Sequence, residues 1–168
     1  MPTLKEKLHD VLAPIVAPGQ LINADQSGPR PARPYATLAV RSQVPQRHLI
    51  RSAPDAAGVA VYREDGRATV EVQLYGEEAY ERGRALLQRL RAHGGLRRAE
   101  ALGLAVERVL DVVDATELVN QQEYEERAIA EFTVAYAETF EEEIGLIERA
   151  DIQCGDHTHV VNAPPRAP

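Results

Sequence analysis

The residues whose types and spacing come closest to a metal site lie near the C-terminus of the chain. Cys154, His157 and His159 follow one another closely, with Asp156 between them. Cysteine sulfur and histidine nitrogen are good ligands for Zn²⁺ and Ni²⁺, and on an extended chain His157 and His159 share a face. Structural zinc sites usually draw their ligands from two separated pairs, however, whereas this cluster is local and borders a Pro-rich tail. A polar C-terminal arm is therefore the favoured interpretation, and a metal-binding enzyme or sensor is the alternative.

Three carboxylates, Asp111, Asp114 and Glu117, have residue types that can do acid–base chemistry. Paired catalytic carboxylates need a cleft that separates their pKa values, and a sequence does not show one. The spacing of Asp114 and Glu117 is that of a capping box, so we predict that they cap a short turn through Leu118. The chain also has no Walker loop, no Gly-x-Ser-x-Gly and no His-Glu-x-x-His motif. We therefore predict no enzymatic activity, no catalytic residue and no cofactor.

Charged side chains form two groups of opposite sign. The basic residues are Arg30, Arg33, Arg41, Arg47 and Arg51, and the acidic residues are Glu138, Glu141, Glu142 and Glu143. With no interleaved aromatic residue beyond Tyr35, the basic group is a poor signature for nucleic-acid binding. A basic and an acidic surface on one small chain are what a head-to-tail ring uses. We predict that both groups contact a neighbouring subunit or partner; for the glutamates a solvated turn is the alternative.

Length and composition are those of an ordinary globular domain. The chain has 168 residues, of which 44% are hydrophobic and 27% charged, and its formal net charge is -7. This length suits one domain with a sizeable core. The acidic balance argues against a protein that coats DNA, because that function needs clustered Lys and Arg. A single cysteine excludes an intrachain disulfide framework, and we expect neither a signal peptide nor a membrane span, so the place of synthesis is the cytosol.

Apolar residues at helical spacing predict two clear helices. The first begins at the capping box Thr3-x-x-Glu6 and ends at Pro14 or Pro18. The second covers about residues 77–93, with Gly94-Gly95 as its C-cap. The buried stripe predicted for the second helix is Ala79, Gly83, Leu86, Leu87 and Leu90. A short third helix is predicted for residues 96–102.

Alternating apolar and polar residues predict the strands. The predicted strands are residues 21–24, 35–41, 59–62, 68–75, 105–113, 127–140 and 147–154. In the strand from residue 127 the even positions, such as Phe132, are apolar and face the core. The sequence Glu64-Asp65-Gly66 is typical of a hairpin turn, and residues 42–57, which have no period, predict a long loop.

The order of these elements predicts the fold class and the domain organisation. We expect an α+β fold, a single domain with a mostly antiparallel sheet and with helices packed on one face. The domain covers residues 1–153, and residues 154–168 form a Pro-rich C-terminal arm.

Three passages of the chain together resemble the bacteriophage neck/tail terminator family, whose members cap the end of a phage tail tube. The first is the Pro-rich ADQSGPRPARPYATL of residues 24–38, and the second is VQLYG of residues 72–76. The third runs from the Glu-Glu-Arg-Ala of residues 125–128 to the Gly-Leu-Ile-Glu of residues 145–148. Their order and spacing cover most of residues 3–153. The Cys–His cluster lies beyond the resemblance.

The resemblance implies a structural virion protein of the tail and neck that forms a homohexameric ring. Such a ring joins the tail tube protein to the head-side connector or stopper protein, has no catalytic residue, and carries no cofactor. Six subunits bring 6 × (-7) = -42 formal charges, which is consistent with a lumen through which DNA passes without specific binding. A monomeric adaptor for tail assembly is the alternative within the same setting.

Overall fold

The computed structural model of the protein describes residues 2–16, 21–119, 123–145, 149–155 and 157–162. Within the strands, the side chains of residues 47–48, 119, 123, 149–152, 154, 157–159 and 162 lie outside that description. The elements, in chain order, are α1 (Leu4–Val16), β1 (Leu21–Asn23), β2 (Tyr35–Arg51), β3 (Val59–Tyr75), α2 (Ala79–Arg91), α3 (His93–Ala101), β4 (Leu104–Asp114), β5 (Glu117–Val119), β6 (Glu123–Glu125), β7 (Arg127–Glu143), β8 (Arg149–Cys154) and β9 (His157–Asn162).

The chain divides into two compact units. The first, here called the core unit, consists of Met1–Gln46 and Asp65–Ala137. The second, here called the strand-end unit, consists of Arg47–Glu64 and Glu138–Pro168, and it contains the last residues of β2 and β7 and the first residues of β3. Among the described residues, none of the helices combines the length and the apolar character that crossing a membrane requires.

The main sheet has five strands in the order β1-β2-β3-β7-β4. β1 pairs with β2 in parallel, with Leu21 opposite Ala36, and β7 pairs with β4 in antiparallel fashion, with Phe132 opposite Val109. β2 and β3 are joined by residues 52–58 alone, a connection too short for parallel neighbours. The sheet is therefore mixed but mostly antiparallel, as the sequence predicts.

The direction of β3 against β7 follows from contacts at two positions. The Gly76 backbone N–H, just after β3, donates to the carbonyl of Glu126, just before β7. Ten residues earlier on β3, Gly66 lies against the ring of Tyr136, ten residues further along β7. The two strands therefore run in opposite directions.

One face of this sheet and the three helices form the core. Apolar side chains at even positions of β2, β3 and β7 pack with the apolar stripes of the helices, as the alternating pattern predicts. The stripe predicted for α2 is confirmed at all five positions. The buried apolar residues of the whole core are Leu4, Leu8, Val11, Leu12, Leu21, Ala36, Leu38, Ala68, Val70, Val72, Leu74, Ala79, Leu86, Leu87, Leu90, Ala99, Leu104, Ala128, Ala130, Phe132 and Val134.

The start of α1 is the capping box that its sequence predicts. The Thr3 backbone N–H donates to Glu6 Oε2 at 2.7 Å, and the Glu6 N–H donates to Thr3 Oγ1 at 3.3 Å. The hydrogen bond from the Thr3 backbone lowers the pKa of Glu6. The predicted end of α1 is partly wrong, because the helix continues through Pro14 to Val16. The carbonyl that Pro14 leaves without a partner belongs to Asp10, which is exposed, so water can satisfy it.

The predicted hairpin turn at residues 64–66 is wrong, since β3 is one continuous strand from Val59 to Tyr75. Gly66 is buried, and a Cβ added to it would lie 2.6 Å from Cζ of Tyr136. A larger residue at this position would require the Tyr136 ring to shift, so the glycine accommodates the ring that crosses the backbone and does not mark a turn of the chain.

The predicted loop at residues 42–57 is also largely wrong, because β2 continues to Arg51. The described side chains from Arg41 to Arg51 are exposed, so neither face imposes an alternation of apolar and polar residues. Pro45 is tolerated because β1 pairs with β2 only as far as Leu38, which leaves that edge of β2 unpaired among the described strands.

Two smaller predictions are wrong, and one strand is not predicted from the sequence. Gly94 and Gly95 do not cap α2, which ends at Arg91, but lie in the first turn of α3. Asp114 and Glu117 do not form a capping box: Asp114 Oδ1 accepts from the N–H and the hydroxyl of Thr116, and Glu117 begins a strand. The sequence predicts only the first strand of the C-terminal hairpin, whereas β9 pairs with β8 along its whole length.

Candidate interaction surfaces

The Pro-rich segment of residues 24–34 forms a loop over the polar face of the sheet in the core unit. Between this loop and the strands lies a cavity of about 500 Å³. The sheet side of the cavity carries Tyr35, Thr37, Arg41, Gln73 and Tyr75, and the loop side is formed by residues 22–30. Prolines and the positive φ of Gly28 keep this loop out of a helix, and its backbone contains a turn, in which the Gln26 N–H donates to the carbonyl of Asn23 at 3.2 Å.

Two contacts anchor the end of this loop. The Arg33 guanidinium lies 2.5 Å from Glu125 Oε1. This oxygen accepts no hydrogen bond of suitable geometry from the described residues, so the contact is an ion pair and not a hydrogen bond. The ring of Tyr35 stacks on the ring of Tyr75, with centroids 4.7 Å apart and planes inclined by 12°. Tyr35 is almost fully buried. The loop is therefore fixed to β3 and to the residues that precede β7.

A chain of hydrogen bonds connects β2, β3 and β7 on the polar face. Arg41 donates to both oxygens of Glu71, at 2.9 and 2.6 Å, and the Gln73 amide donates to the same carboxylate. Gln73 Oε1 in turn accepts from the Tyr75 hydroxyl at 2.6 Å and from Arg127 at 2.5 Å. The Arg127 guanidinium also lies over the Tyr75 ring, 5.3 Å from its centroid. These bonds satisfy the buried Gln73.

The paired charges in this network shift each other's pKa. The hydrogen bond from Arg41 lowers the pKa of Glu71, and the same hydrogen bond raises the pKa of Arg41. A bidentate arginine–carboxylate pair fixes orientation as well as charge. The arrangement holds the neighbouring strands β2, β3 and β7 together.

The structure places the five predicted arginines in different surroundings. Arg33 and Arg41 form the intrachain ion pairs described above. Arg30 lines the cavity under the Pro-rich loop, and Arg51 is exposed at the end of β2. Arg47 lies on β2, but its side chain is outside the described part. The role of this group at an interface stays a prediction.

The predicted acidic residues all lie exposed on the last part of β7, in the strand-end unit. Because successive side chains of a strand point to opposite faces, Glu138 and Glu142 share one face, and Glu141 and Glu143 share the other. Phe140 lies between Glu138 and Glu142 on the first face. Its ring stacks on Tyr62 of β3, with centroids 5.1 Å apart and planes inclined by 6°. The acidic group is therefore two surfaces, one of which includes an aromatic pair.

The strand-end unit exposes large apolar side chains and contributes no described residue to the core cluster. Its exposed apolar residues are Leu49, Ile50, Val61, Phe140, Ile144, Val160 and Val161. The backbone N–H groups of Ile144 and Gly145, just after β7, both donate to the carbonyl of Gly58, just before β3. These hydrogen bonds hold the end of β7 next to the start of β3. A small unit with so many exposed apolar residues is typical of a protein interface.

The sequence-based reasoning missed a basic surface on α2 and α3. Residues 79–101 contain six arginines and two glutamates, which gives 6 − 2 = +4 formal charges in a chain whose net charge is -7. Arg84, Arg91, Arg97 and Arg98 are exposed, beside the half-exposed Tyr80 and Leu96. The arginines are visible in the sequence, but basic residues such as Arg89 and Arg91 at the end of a helix are also favoured by the helix dipole, so their presence alone does not indicate a binding surface.

The Cys–His cluster falls on the C-terminal hairpin. The register of β8 and β9 places Cys154 opposite His157 and Ile152 opposite His159. The side chains of Cys154, His157 and His159 lie outside the described residues, so the structure does not test them as ligands. Elsewhere, in the part of the chain that is described, no three His, Cys, Asp or Glu side chains group as metal ligands do.

Comparison with known proteins gives one finding that covers nearly the whole chain. A family described as "Phage neck terminator protein" matches residues 3–157. The matched range includes the Pro-rich loop, the polar network and all of the strand-end unit before β9. No curated protein matches the chain.

Proposed function

Because this chain belongs to the phage neck terminator family, and is thus a structural protein of the phage neck, we propose that it caps the end of the tail tube. In this proposal six copies form a ring, and the ring joins the tail tube protein to the head-side connector or stopper protein. The observation that carries the proposal is the family match over residues 3–157. The protein acts by binding and shape, and no catalytic step is assigned to it.

The exposed surface of the strand-end unit supports assembly with other chains. Side chains such as Leu49 and Ile50 remain exposed, and no described residue of this unit belongs to the buried core cluster. Burying them against a neighbour stabilises the assembly by about 25 cal/mol for each Å² of apolar surface removed from water. Beyond Leu38 this edge of β2 has no partner among the described strands, so it adds backbone groups that a neighbour can satisfy.

The charge of the chain supports passage of DNA without tight binding. In a ring of six, the -42 formal charges repel a phosphate backbone wherever they face the lumen. The polar face of the sheet does not offer a chain of unpaired arginines, since Arg41 and Arg127 are engaged with Glu71, Gln73 and Glu117.

The mass of the protein in solution, with and without tail tube protein, tests this proposal. We expect six copies in the complex with the tube, and either six copies or a monomer without it, because the tube can act as a template. A stable monomer that does not associate with tube protein would contradict the proposed role and favour a monomeric adaptor.

A matched pair of substitutions examines the part played by the strand-end unit. Ile50 and Val113 are 56% and 58% exposed, in the strand-end unit and on β4 of the core unit respectively. Ile50→Asp is expected to weaken assembly without lowering the melting temperature of the subunit, and Val113→Asp is expected to leave assembly intact. Equal effects of the two substitutions would show that the strand-end unit has no special part in the ring.

A further inference from the structure

The face of β7 that carries Glu138, Phe140 and Glu142 has the composition of a guanidinium-binding surface. Two exposed carboxylates flank an aromatic ring that is itself stacked on Tyr62. Carboxylates accept paired hydrogen bonds from arginine, and arginine also stacks on aromatic faces. Phe140 remains 49% exposed although it is stacked, so its outer surface is available to a partner.

A surface with complementary chemistry lies on α2 of the same protein. Arg84 and Arg91 are seven residues apart and therefore share one face of the helix, with Gln88 between them. All three are exposed. Arg84 has one weak partner, Glu81 at 3.5 Å, and among the described residues no ion pair involves Arg91. The half-exposed Tyr80 on the same helix adds apolar surface nearby.

The spacing of the two surfaces also agrees. Four residues of strand separate Glu138 from Glu142 by about 13 Å, at about 3.3 Å for each residue. Seven residues of helix separate Arg84 from Arg91 by about 10 Å, at 1.5 Å for each residue. Long, flexible arginine side chains can cover the remaining difference. Two arginines can therefore reach two glutamates at the same time, with Phe140 between them.

We propose that the Arg84–Arg91 face of α2 in one copy of this chain binds the Glu138–Phe140–Glu142 face of β7 in a second copy. The contact is heterologous, because it joins two different surfaces, so successive copies associate head to tail, the kind of contact from which a ring of identical subunits is built. The inference rests on the proposed ring function and identifies the residues that specify its subunit contact. It replaces the arginines of residues 30–51 as the basic side of that contact.

Charge reversal tests the contact in a phage that lacks this gene and is complemented with plasmid-borne variants. The readout is the yield of particles whose tails are joined to heads. The double variants Arg84→Glu/Arg91→Glu and Glu138→Arg/Glu142→Arg should each lower the yield about ten-fold or more, as expected when a desolvated interfacial charge pair is lost. Asp10→Arg, an exposed charge reversal on α1, should leave the yield unchanged.

Restoration of the yield distinguishes this contact from a general effect of charge. The quadruple variant exchanges both sets of charges, so each copy again meets an opposite charge on its neighbour. Co-expression of the two double variants should also restore the yield, because copies that alternate around a ring of even number pair Glu with Arg at every contact. Failure of both restorations, or normal yield from either double variant, overturns the inference.

The basic face of α2 could instead bind nucleic acid. DNA binding is tested by retention of a short DNA duplex by the purified protein at low salt. If wild-type protein retains the duplex, Arg84→Glu/Arg91→Glu does not, and neither combination of variants restores the particle yield, this face is assigned to DNA and our inference is contradicted. Wild-type protein that forms a ring with tube protein, while the restorations fail, overturns this inference alone. Wild-type protein that forms no ring overturns the proposed function as well.

Folding of the variants is followed by thermal unfolding of the purified subunits. If charge reversal lowers the melting temperature, glutamine at the same four positions replaces it. Neutralising the charges on α2 or those on β7 then eliminates the same contact. The quadruple Gln variant should therefore give a yield of joined particles no lower than that of either double Gln variant. Losses that multiply would show that the two surfaces act independently, which contradicts the proposed contact.

Discussion

Alanine at two neighbouring glycines of α3 should change the stability of the subunit in opposite directions. A Cβ added to Gly95 would lie 2.5 Å from the carbonyl oxygen of Leu90 and 2.8 Å from its carbonyl carbon. Ordinary contacts of this kind are about 3.5 Å or longer. The obstructing atoms belong to the backbone at the end of α2, so α3 has to move away from a helix that buries Leu90 in the core. Gly94, in contrast, has nothing within 4 Å of its added Cβ.

The expected difference between the two variants is large enough to measure by thermal unfolding. Gly95→Ala should cost about 1–3 kcal/mol, as overpacking usually does, and Gly94→Ala should stabilise the helix by about 0.5–1 kcal/mol. At about 2–4 °C for each kcal/mol in a protein of this size, the melting temperatures should differ by roughly 3–16 °C. Equal melting temperatures would refute the close approach of α3 to α2.

The remaining predictions concern single sites in the core unit. Phe132→Ala should lower the free energy of unfolding by about 3–5 kcal/mol, because Phe132 is 1% exposed; the matched change at Phe140, the other phenylalanine, should cost an isolated subunit much less, and equal losses would contradict the assignment of faces on β7. Gly66→Ala should cost about 1–3 kcal/mol in denaturant unfolding through overpacking, and a neutral effect would show that the nearby tyrosine ring moves freely. Thr3→Ala should cost about 0.5–2 kcal/mol through loss of the helix cap, and helix content that resists heating as in wild type would argue against the cap. Because the pKa of Glu71 is lowered in the folded protein, its ion pair stabilises the fold above the ordinary carboxyl pKa of 4.5, and this stability is lost as the pH falls through the lower, folded value. Glu71→Gln should therefore lose less stability than wild type on acidification. An unchanged dependence of the free energy of unfolding on pH would count against the pair.

The parts of the fold that local periodicity determines could be predicted from the sequence. The stripe of α2 and the even positions of β7 are confirmed, because the periods of 3.6 and 2 report which face of an element is buried. The capping box at Thr3 is confirmed for a similar reason, since all its partners lie within one turn. The α+β class and the helices on one face follow from these local features.

The parts that could not be predicted depend on residues far apart in the sequence. Gly66 is typical of a turn by its local sequence, but the ring of Tyr136 decides its role. Residues 42–51 form a strand because β3 pairs with them, although exposure on both faces removes any alternation from the sequence.

The candidate surfaces were predicted only in part for the same reason. The acidic residues from Glu138 to Glu143 are exposed as their charge indicates, but only the strand alternation shows that they divide between two faces. Arg33 and Arg41 are not unpaired cations, because the fold brings Glu125 next to Arg33 and Glu71 next to Arg41. The composition of a segment shows the sign of its charge. It does not show which residues elsewhere in the same chain pair with that charge in the folded protein.

The most direct test of the account is an electron-microscopy reconstruction of the neck in the assembled phage particle. We expect six copies of this chain in a ring at the head-side end of the tail tube, with the strand-end unit of each copy in contact with other chains. A particle in which this chain is absent, or is present as an isolated single copy away from the tube end, would contradict it.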